Sequence, residues 1–193
     1  MVTLISDEEL ASQLQSGRED ALDQLVFRYH KPIYAYIFRL SGDHHTTNDL
    51  VQDIFIKLCR GINSYRQELP FRPWLYRIAA NTYKDYKKAA YTRKVLPGYK
   101  DMVTQITNTA TPEDAFIKDF EKARLIQAVN NLNDIYRETL LLRYYQELKL
   151  EEIAIVLSVP VGTVKSRLSS ALSQLKQTLK DEDFVLRPNL QGS

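Results

Sequence analysis

The chain has little of what staples, threads or breaks a fold. Its 193 residues include one cysteine, six glycines and three histidines, and each shortage removes a class of protein. A lone Cys59 cannot close an internal disulfide, and nothing near it has the spacing of a zinc ligand set. Within an apolar helical run it is expected as a small buried side chain. No uninterrupted apolar run approaches the roughly 20 residues that cross a bilayer. The start, MVTLISDEELASQL, has neither the cationic lead nor the apolar centre of a secretory signal, so a soluble, cytoplasmic chain is expected. Scarce glycine and the lack of alternating β-branched runs leave little room for sheet and point to an all-α fold. Asp43-His44-His45-Thr46 holds a histidine pair, but adjacent histidines point apart on a helix and no third metal ligand accompanies them. The stretch reads as a helix start. No glycine-rich phosphate loop is present and no nucleophile stands beside a positioning base, so neither catalysis nor a cofactor is expected.

What is there is charge laid out in blocks. The formal net charge is only +2. Yet from Gly61 to Tyr99 the bases Arg66, Arg72, Arg77, Lys84, Lys87, Lys88, Arg93 and Lys94 stand against only Glu68 and Asp85. From Thr163 to Lys180 there are bases and no acid. Two separated basic blocks in a nearly neutral chain suit two contacts with one polyanion.

Apolar periodicity lays out helices around these blocks. Ser6-Asp7-Glu8-Glu9 reads as a capping box for a first short helix that Gly17 ends. Leu22, Leu25, Val26 and Tyr29 open a second, kinked at Pro32 and closed by Ser41-Gly42. A third runs from about Thr47 to Arg60 with Leu50, Val51, Ile54, Phe55 and Leu58 inward. A fourth follows Pro73, with Trp74, Leu75, Ile78 and Ala79 inward. Between Leu96 and Thr111 the period fails and polar turn residues take over, as in a linker. Thr111-Pro112-Glu113-Asp114 has the signals of a new helix start, followed by the stripe Phe116, Phe120, Ala123, Ile126 and Val129. Asn133 or Asp134 caps a further helix through Tyr145. The expected organisation is two small helical domains, 1–95 and 113–180, joined by a linker over 96–112 and followed by a loosely held tail over 181–193.

The segment from Leu150 to Leu179 predicts a helix-turn-helix. Leu150, Ile153, Ala154 and Leu157 share one face of a short helix, which Ser158-Val159-Pro160 breaks. Val164, Leu168, Leu172, Leu175 and Leu179 form the stripe of a longer helix. Thr163, Lys165, Ser166, Arg167, Ser169 and Ser170 lie mostly off that stripe. Short donors and two cations at the start of a second helix suit base edges and phosphates in a major groove.

Four segments together resemble the extracytoplasmic-function sigma factors, bacterial initiation factors with only the sigma-2 and sigma-4 domains. They are DLVQDIFIKL from Asp49, FRPWLYRIAAN from Phe71, YRETLLLRYY from Tyr136, and EEIA from Glu151 continuing through VPVGTVKSRL from Val159. The resemblance covers about residues 6–180. It implies a subunit without catalysis of its own that binds core RNA polymerase through the β′ clamp helices and the β flap, recognises promoter DNA and helps melt it. It also implies an anti-sigma factor as partner, often membrane-bound, which would hold the chain at the inner face of the membrane. No stable homo-oligomer is expected.

The residues fit those roles physically. Asp49, Gln52, Asp53 and Ile56 share one face of the third helix, two carboxylates around an apolar anchor; the resemblance makes this the face that docks the β′ clamp coiled coil. Arg77, Asn81, Lys84 and Lys88 form a straight polar stripe suited to a phosphate backbone. Tyr76, Tyr83 and Tyr86 interleave with it, and Tyr65 lies in the preceding loop with Asn63, Ser64 and Arg66; exposed aromatics beside cations suit single-stranded bases. The resemblance assigns this loop and helix to the minus-10 element. It assigns Val161, Gly162, Thr163, Lys165, Ser166 and Arg167 to the minus-35 element. Ser169, Ser170 and Ala171 stand where the family commonly carries further bases, which lowers the expected number of phosphate contacts. Leu148-Lys149 replaces the usual small residue and hydroxyl cap, a loss of about 1 kcal/mol at that helix start. The alternative is a helix-turn-helix regulator that binds duplex without entering the polymerase; it would need a sensor or dimerisation domain where residues 1–95 stand.

Overall fold

The computed structural model describes residues 5–94 and 123–186. Every regular element among them is helical. The linker expected at 96–112, the restart at Thr111 and the stripe positions Phe116 and Phe120 lie outside the described residues.

Local signals set the helix ends. Ser6 accepts from Glu9 N at 3.1 Å and opens α1 (Asp7–Gln15), and Gly17 follows at φ 90°, a turn that a side chain would strain. Helix α2 (Glu19–Ser41) runs through Pro32 and stops at Gly42 in the left-handed conformation. Helix α3 (His44–Gly61) starts three residues earlier than the apolar pattern predicts, because the Asp43 carboxylate caps it by accepting from Thr46 N at 2.7 Å. A 3-10 turn (Ile62–Ser64) leads to α4 (Phe71–Lys94), whose first free N–H, that of Phe71, donates to Glu8 Oε1 at 3.0 Å.

In the second module, α5 (123–130) is followed by α6 (Asp134–Tyr144), capped by Asn133. Helix α7 (Leu150–Leu157) lacks a side-chain acceptor at its cap. Glu152 compensates by accepting from Lys149 N at 2.6 Å, half of a capping box. Ser158 then takes a left-handed conformation at φ 54°, and α8 (Val161–Leu186) begins immediately after Pro160. After Gly162 no proline or glycine interrupts the sequence before Pro188, so α8 continues past the expected boundary at 180.

Two corrections concern packing. Cys59 is exposed, not buried, because Leu58 and Ile62 occupy the inward positions at the end of α3. In α8 the inward residue is the fully buried Ala171, while Leu172 is 45 % exposed. The stripe Val164, Leu168, Ala171 and Leu175 follows the helical period more closely than the run of leucines does.

The core crosses the module boundary. Leu25, Ile37, Ile54, Leu58 and Leu75 of the first module share one apolar cluster with Leu141, Leu148, Ile153 and Val164 of the second. A smaller cluster, with Val129, Leu140 and Leu175, belongs to the second module alone. Phe71 is fully buried, with Tyr65 edge-on at 5.5 Å and Tyr29 and Trp74 within 5.8 Å. This aromatic knot fixes the start of α4 against the loop before it.

Candidate nucleic-acid interface

The acidic face of α3 stands as the sequence predicts. Asp49, Gln52, Asp53 and Ile56 are all exposed, Ile56 at 39 %, opposite the buried Leu50, Val51, Ile54 and Leu58. His45 Nδ1 lies 3.1 Å from Asp49 Oδ2. Sequence reasoning missed the row beside this face. His30 stacks with Phe55 and Tyr34, Phe38 stacks on His44 at 4.3 Å, and Phe27 is 89 % exposed. The i, i+4 spacing of His30, Tyr34 and Phe38 on α2 was the available signal.

Between α4 and the loop before it lies an open cavity of about 460 Å³, lined by Ser64, Arg66, Leu69, Trp74, Arg77, Ile78 and Asn81. Its size is that of a small-ligand pocket. Trp74, read from sequence as core, is half-buried and forms part of the wall. Asn63 is exposed on the same loop but does not line the cavity. The loop is held from below by Gln15, whose side-chain amide donates to the carbonyls of Ile62 and Tyr65 at 2.8 and 2.9 Å. Nothing in the sequence near Gln15 announces this role; the contact spans some fifty residues.

The tyrosines do not stand where a stacking platform needs them. Tyr65 is 4 % exposed and Tyr76 is fully buried. Tyr83 is buried too, leaving Tyr86 exposed among the four. The reason is helical period: Tyr76, Ala79, Ala80 and Tyr83 are spaced i, i+3, i+4, i+7 and form the inward stripe of α4. Their hydroxyls serve the fold. Tyr65 donates to Leu69 O at 2.6 Å, Tyr83 to Leu40 O at 2.6 Å, and Tyr76 to Gln146 Oε1 in the second module. Burial pushes all three phenols up to about 12. Tyr91, beyond the predicted set, is exposed near the end of α4.

Arg77, Asn81 and Lys88 are exposed along α4, as predicted. Lys84 is partly engaged, its Nζ 3.7 Å from Glu138 Oε2 across the module boundary. Glu138 is buried, and burial raises its carboxyl above the ordinary range while Lys84, the Tyr36 hydroxyl and Arg167 act the other way.

On α8 the six predicted residues do not form one surface. Gly162, Lys165 and Ser166 are exposed; Val161, Thr163 and Arg167 are half-buried. Lys165 and Arg167 are two residues apart and so about 160° apart around the helix axis. Arg167 shares a groove of about 270 Å³ with Asn133, Ile135, Tyr136, Ser166 and Ser170. Lys165 falls with Gly162 and Ser169 on the outer side. Ser166 Oγ donates to Thr163 O at 3.0 Å, so its hydroxyl is turned back on the helix.

Among the described residues, no helix is long and apolar enough to cross a membrane, and no cluster of three or more potential metal ligands occurs.

The family sigma-70 region 2 matches residues 25–92, and sigma-70 region 4 matches residues 122–175. The chain is 32 % identical over 190 residues to the RNA polymerase sigma-H factor of Pseudomonas aeruginosa, covering 93 % of this chain and 97 % of that protein. It is 34 % identical over 176 residues to the ECF RNA polymerase sigma factor SigW of Bacillus subtilis, covering 88 % and 94 %. Among solved structures, CnrH in complex with the cytosolic domain of CnrY is similar in fold, with a TM-score of 0.69 at 24 % identity over 91 % of this chain and 97 % of that one. The sigma factor RpoE in complex with the anti-sigma factor NepR, from Bartonella quintana, has a TM-score of 0.64 at 23 % identity over 82 % and 96 %.

Proposed function

We infer how the two modules divide their work from the premise that this chain belongs to the extracytoplasmic-function sigma factors of the sigma-70 family. As such it is an alternative sigma factor that directs promoter-specific transcription. Its work is recognition and opening of DNA, with no bond-making step assigned to it.

The observation that carries the division of labour is the cavity beside α4, with the exposed Arg77 and Asn81 on its rim. A melted minus-10 strand needs its phosphates followed and an unstacked base received. Arg77, Asn81 and Lys88 follow the backbone as a line of donors and charge. Ser64, Arg66 and Asn81 offer hydrogen bonds to a base edge, against the apolar wall of Leu69 and Trp74. Asn63 contributes a contact from outside the cavity, on the same loop. Tyr65 and Tyr76 act here by holding the loop and helix in place, not by stacking.

Helix α8 enters the major groove of the minus-35 element by its first two turns. Lys165 and Arg167 cannot both face one set of base edges, so one reads bases and the other holds a flanking phosphate. Gly162 leaves the start of α8 open, with nothing besides its chain neighbours and its own helix backbone within 4 Å of where a Cβ would stand, and free N–H groups at a helix start favour a phosphate.

Asp49, Gln52, Asp53 and Ile56 dock the β′ clamp helices of core polymerase: charge steers the encounter and Ile56 anchors it. The second module meets the β flap. CnrH is seen in complex with the cytosolic domain of CnrY and RpoE with the anti-sigma factor NepR, and this chain is likewise held by an anti-sigma factor in the cytoplasm until a signal releases it.

The test is transcription. Purified chain mixed with core polymerase co-elutes with it and gives run-off product from defined start sites. Binding to duplex with no association with core polymerase supports the regulator reading instead.

A further inference from the structure

The apolar wall of the cavity beside α4 receives any base and so selects none. Trp74 is half-buried and fixed by ring contacts with Tyr65 at 5.2 Å and Phe71 at 5.7 Å between centroids. Stacking on such a surface is indifferent to sequence, since every base has a π-face. A cavity of about 460 Å³ admits a purine as readily as a pyrimidine. Selection is left to the polar lining, and that lining is mostly donors. Arg66 and Arg77 can only donate, and no carboxylate stands among the lining residues. The acceptors present are neutral: the Asn81 amide oxygen, and Ser64 Oγ, whose own proton goes to the Gly61 carbonyl at 2.7 Å. Hydrogen bonds from a charged donor are roughly twice as strong as neutral ones, so the guanidiniums decide which base edge fits.

The two arginines stand on opposite sides of the cavity. Arg77 and Asn81 belong to α4, in line with Lys88, and Arg66 belongs to the loop facing them. A strand whose phosphates follow α4 hangs its bases toward the loop, so the guanidinium that meets a base edge is that of Arg66. Its side chain is exposed and has no partner among the described residues. Its backbone, by contrast, is fixed. The Arg66 carbonyl accepts from Leu69 N at 3.0 Å, and the preceding carbonyl, that of Tyr65, accepts from Gln15 at 2.9 Å. A free guanidinium on a fixed root is a planar fork held ready for its ligand.

We propose that the cavity takes guanine, gripped at O6 and N7 by Arg66. The proposal rests on the minus-10 reading given above and names the base which that site selects. The O6 and N7 edge of guanine offers two adjacent acceptors and no donor. Adenine puts an amino group beside N7, and thymine offers O4 beside a methyl, so each satisfies half of the fork. Cytosine also has adjacent acceptors, N3 and O2, but O2 lies against the sugar and the N4 amino group shares that edge. The remaining donors of guanine, on its pairing edge, face the open mouth of the cavity and stay in water.

The test uses holoenzyme assembled from the full chain and core polymerase. Its probes are forked duplexes whose single-stranded segment is thymidine except at one position, which is walked along the segment and carries each other base in turn. Fluorescence anisotropy finds one position at which guanine binds about 5- to 150-fold more tightly than the other three bases. There 7-deazaguanine, which lacks N7, loses most of that gain, whereas hypoxanthine, which lacks only the amino group of the pairing edge, keeps it. Arg66→Ala abolishes the preference, and Arg66→Gln transfers it to adenine, because a side-chain amide pairs with N6 and N7. Both variants keep the parental melting curve in circular dichroism. A preference for cytosine, equal binding of guanine and 7-deazaguanine, or a guanine preference that survives Arg66→Ala overturns the proposal and leaves the minus-10 surface standing. A holoenzyme that binds the forked probes no better than their fully paired counterparts, whatever the base, refutes the minus-10 reading itself.

Discussion

Arg77→Ala isolates the phosphate contact on which the minus-10 reading depends. The side chain is exposed on α4, on the rim of the cavity and away from the inward stripe of Tyr76 and Tyr83, so its loss leaves the core unchanged. Each phosphate neutralised on a single strand contributes about 0.7 to the slope of log affinity against log salt. Between 50 and 200 mM salt, a fourfold range, one lost contact therefore flattens the fall in affinity by roughly 2.6-fold. The assay is fluorescence anisotropy of the assembled holoenzyme on a forked duplex with a single-stranded minus-10 segment, taken over that salt series. Arg77→Lys keeps the charge and keeps the slope if the contact is to phosphate alone. An Arg77→Ala holoenzyme with the parental slope and the parental affinity would remove Arg77 from the DNA surface and, with it, the reason for placing the strand along this face.

Gln15→Ala removes both donors that hold the loop carbonyls of Ile62 and Tyr65; a stability loss of about 1–3 kcal/mol is expected in chemical denaturation, with permanganate footprints of the melted strand weakened and upstream duplex protection retained. Lys165→Ala and Arg167→Ala should differ in kind: one loses about 1–3 kcal/mol of discrimination between promoters, the other only changes the salt slope, and identical effects from both would contradict their opposite placement on α8. Alkali should loosen the fold. Tyr76 and Tyr83 are pushed from the ordinary 10 to about 12, so the folded state keeps its phenol protons where the unfolded state has lost them. The stability they contribute is whole below pH 10 and is lost as pH rises from 10 through 12. Circular dichroism and phenolate absorbance followed together check this, and Tyr76→Phe should make the decline shallower.

The sequence by itself determined the helices, most of their ends and the family. These depend on interactions within four residues along the chain: Ser6, Asp43 and Asn133 cap by reaching the next turn, Pro160 ends one helix as the next begins, and the apolar period selects the inward face. The exposed positions of Asp49, Gln52, Asp53 and Ile56, and of Arg77, Asn81 and Lys88, follow from that period. The misplaced residues fail for a related reason. Tyr76 is placed by residue type where the period puts it inward with Ala79 and Ala80, and the leucine stripe runs through Leu172 where the period favours Ala171. Only the tertiary structure decided what no local rule contains. Gln15 supports a loop some fifty residues away, the wall of the cavity comes from both sides of a turn, and Glu138 meets Lys84 and Tyr36 across a module boundary. Such pairings depend on how faces settle against one another. Many polar side chains could satisfy a given buried partner, and nothing in the order of residues says which one arrives.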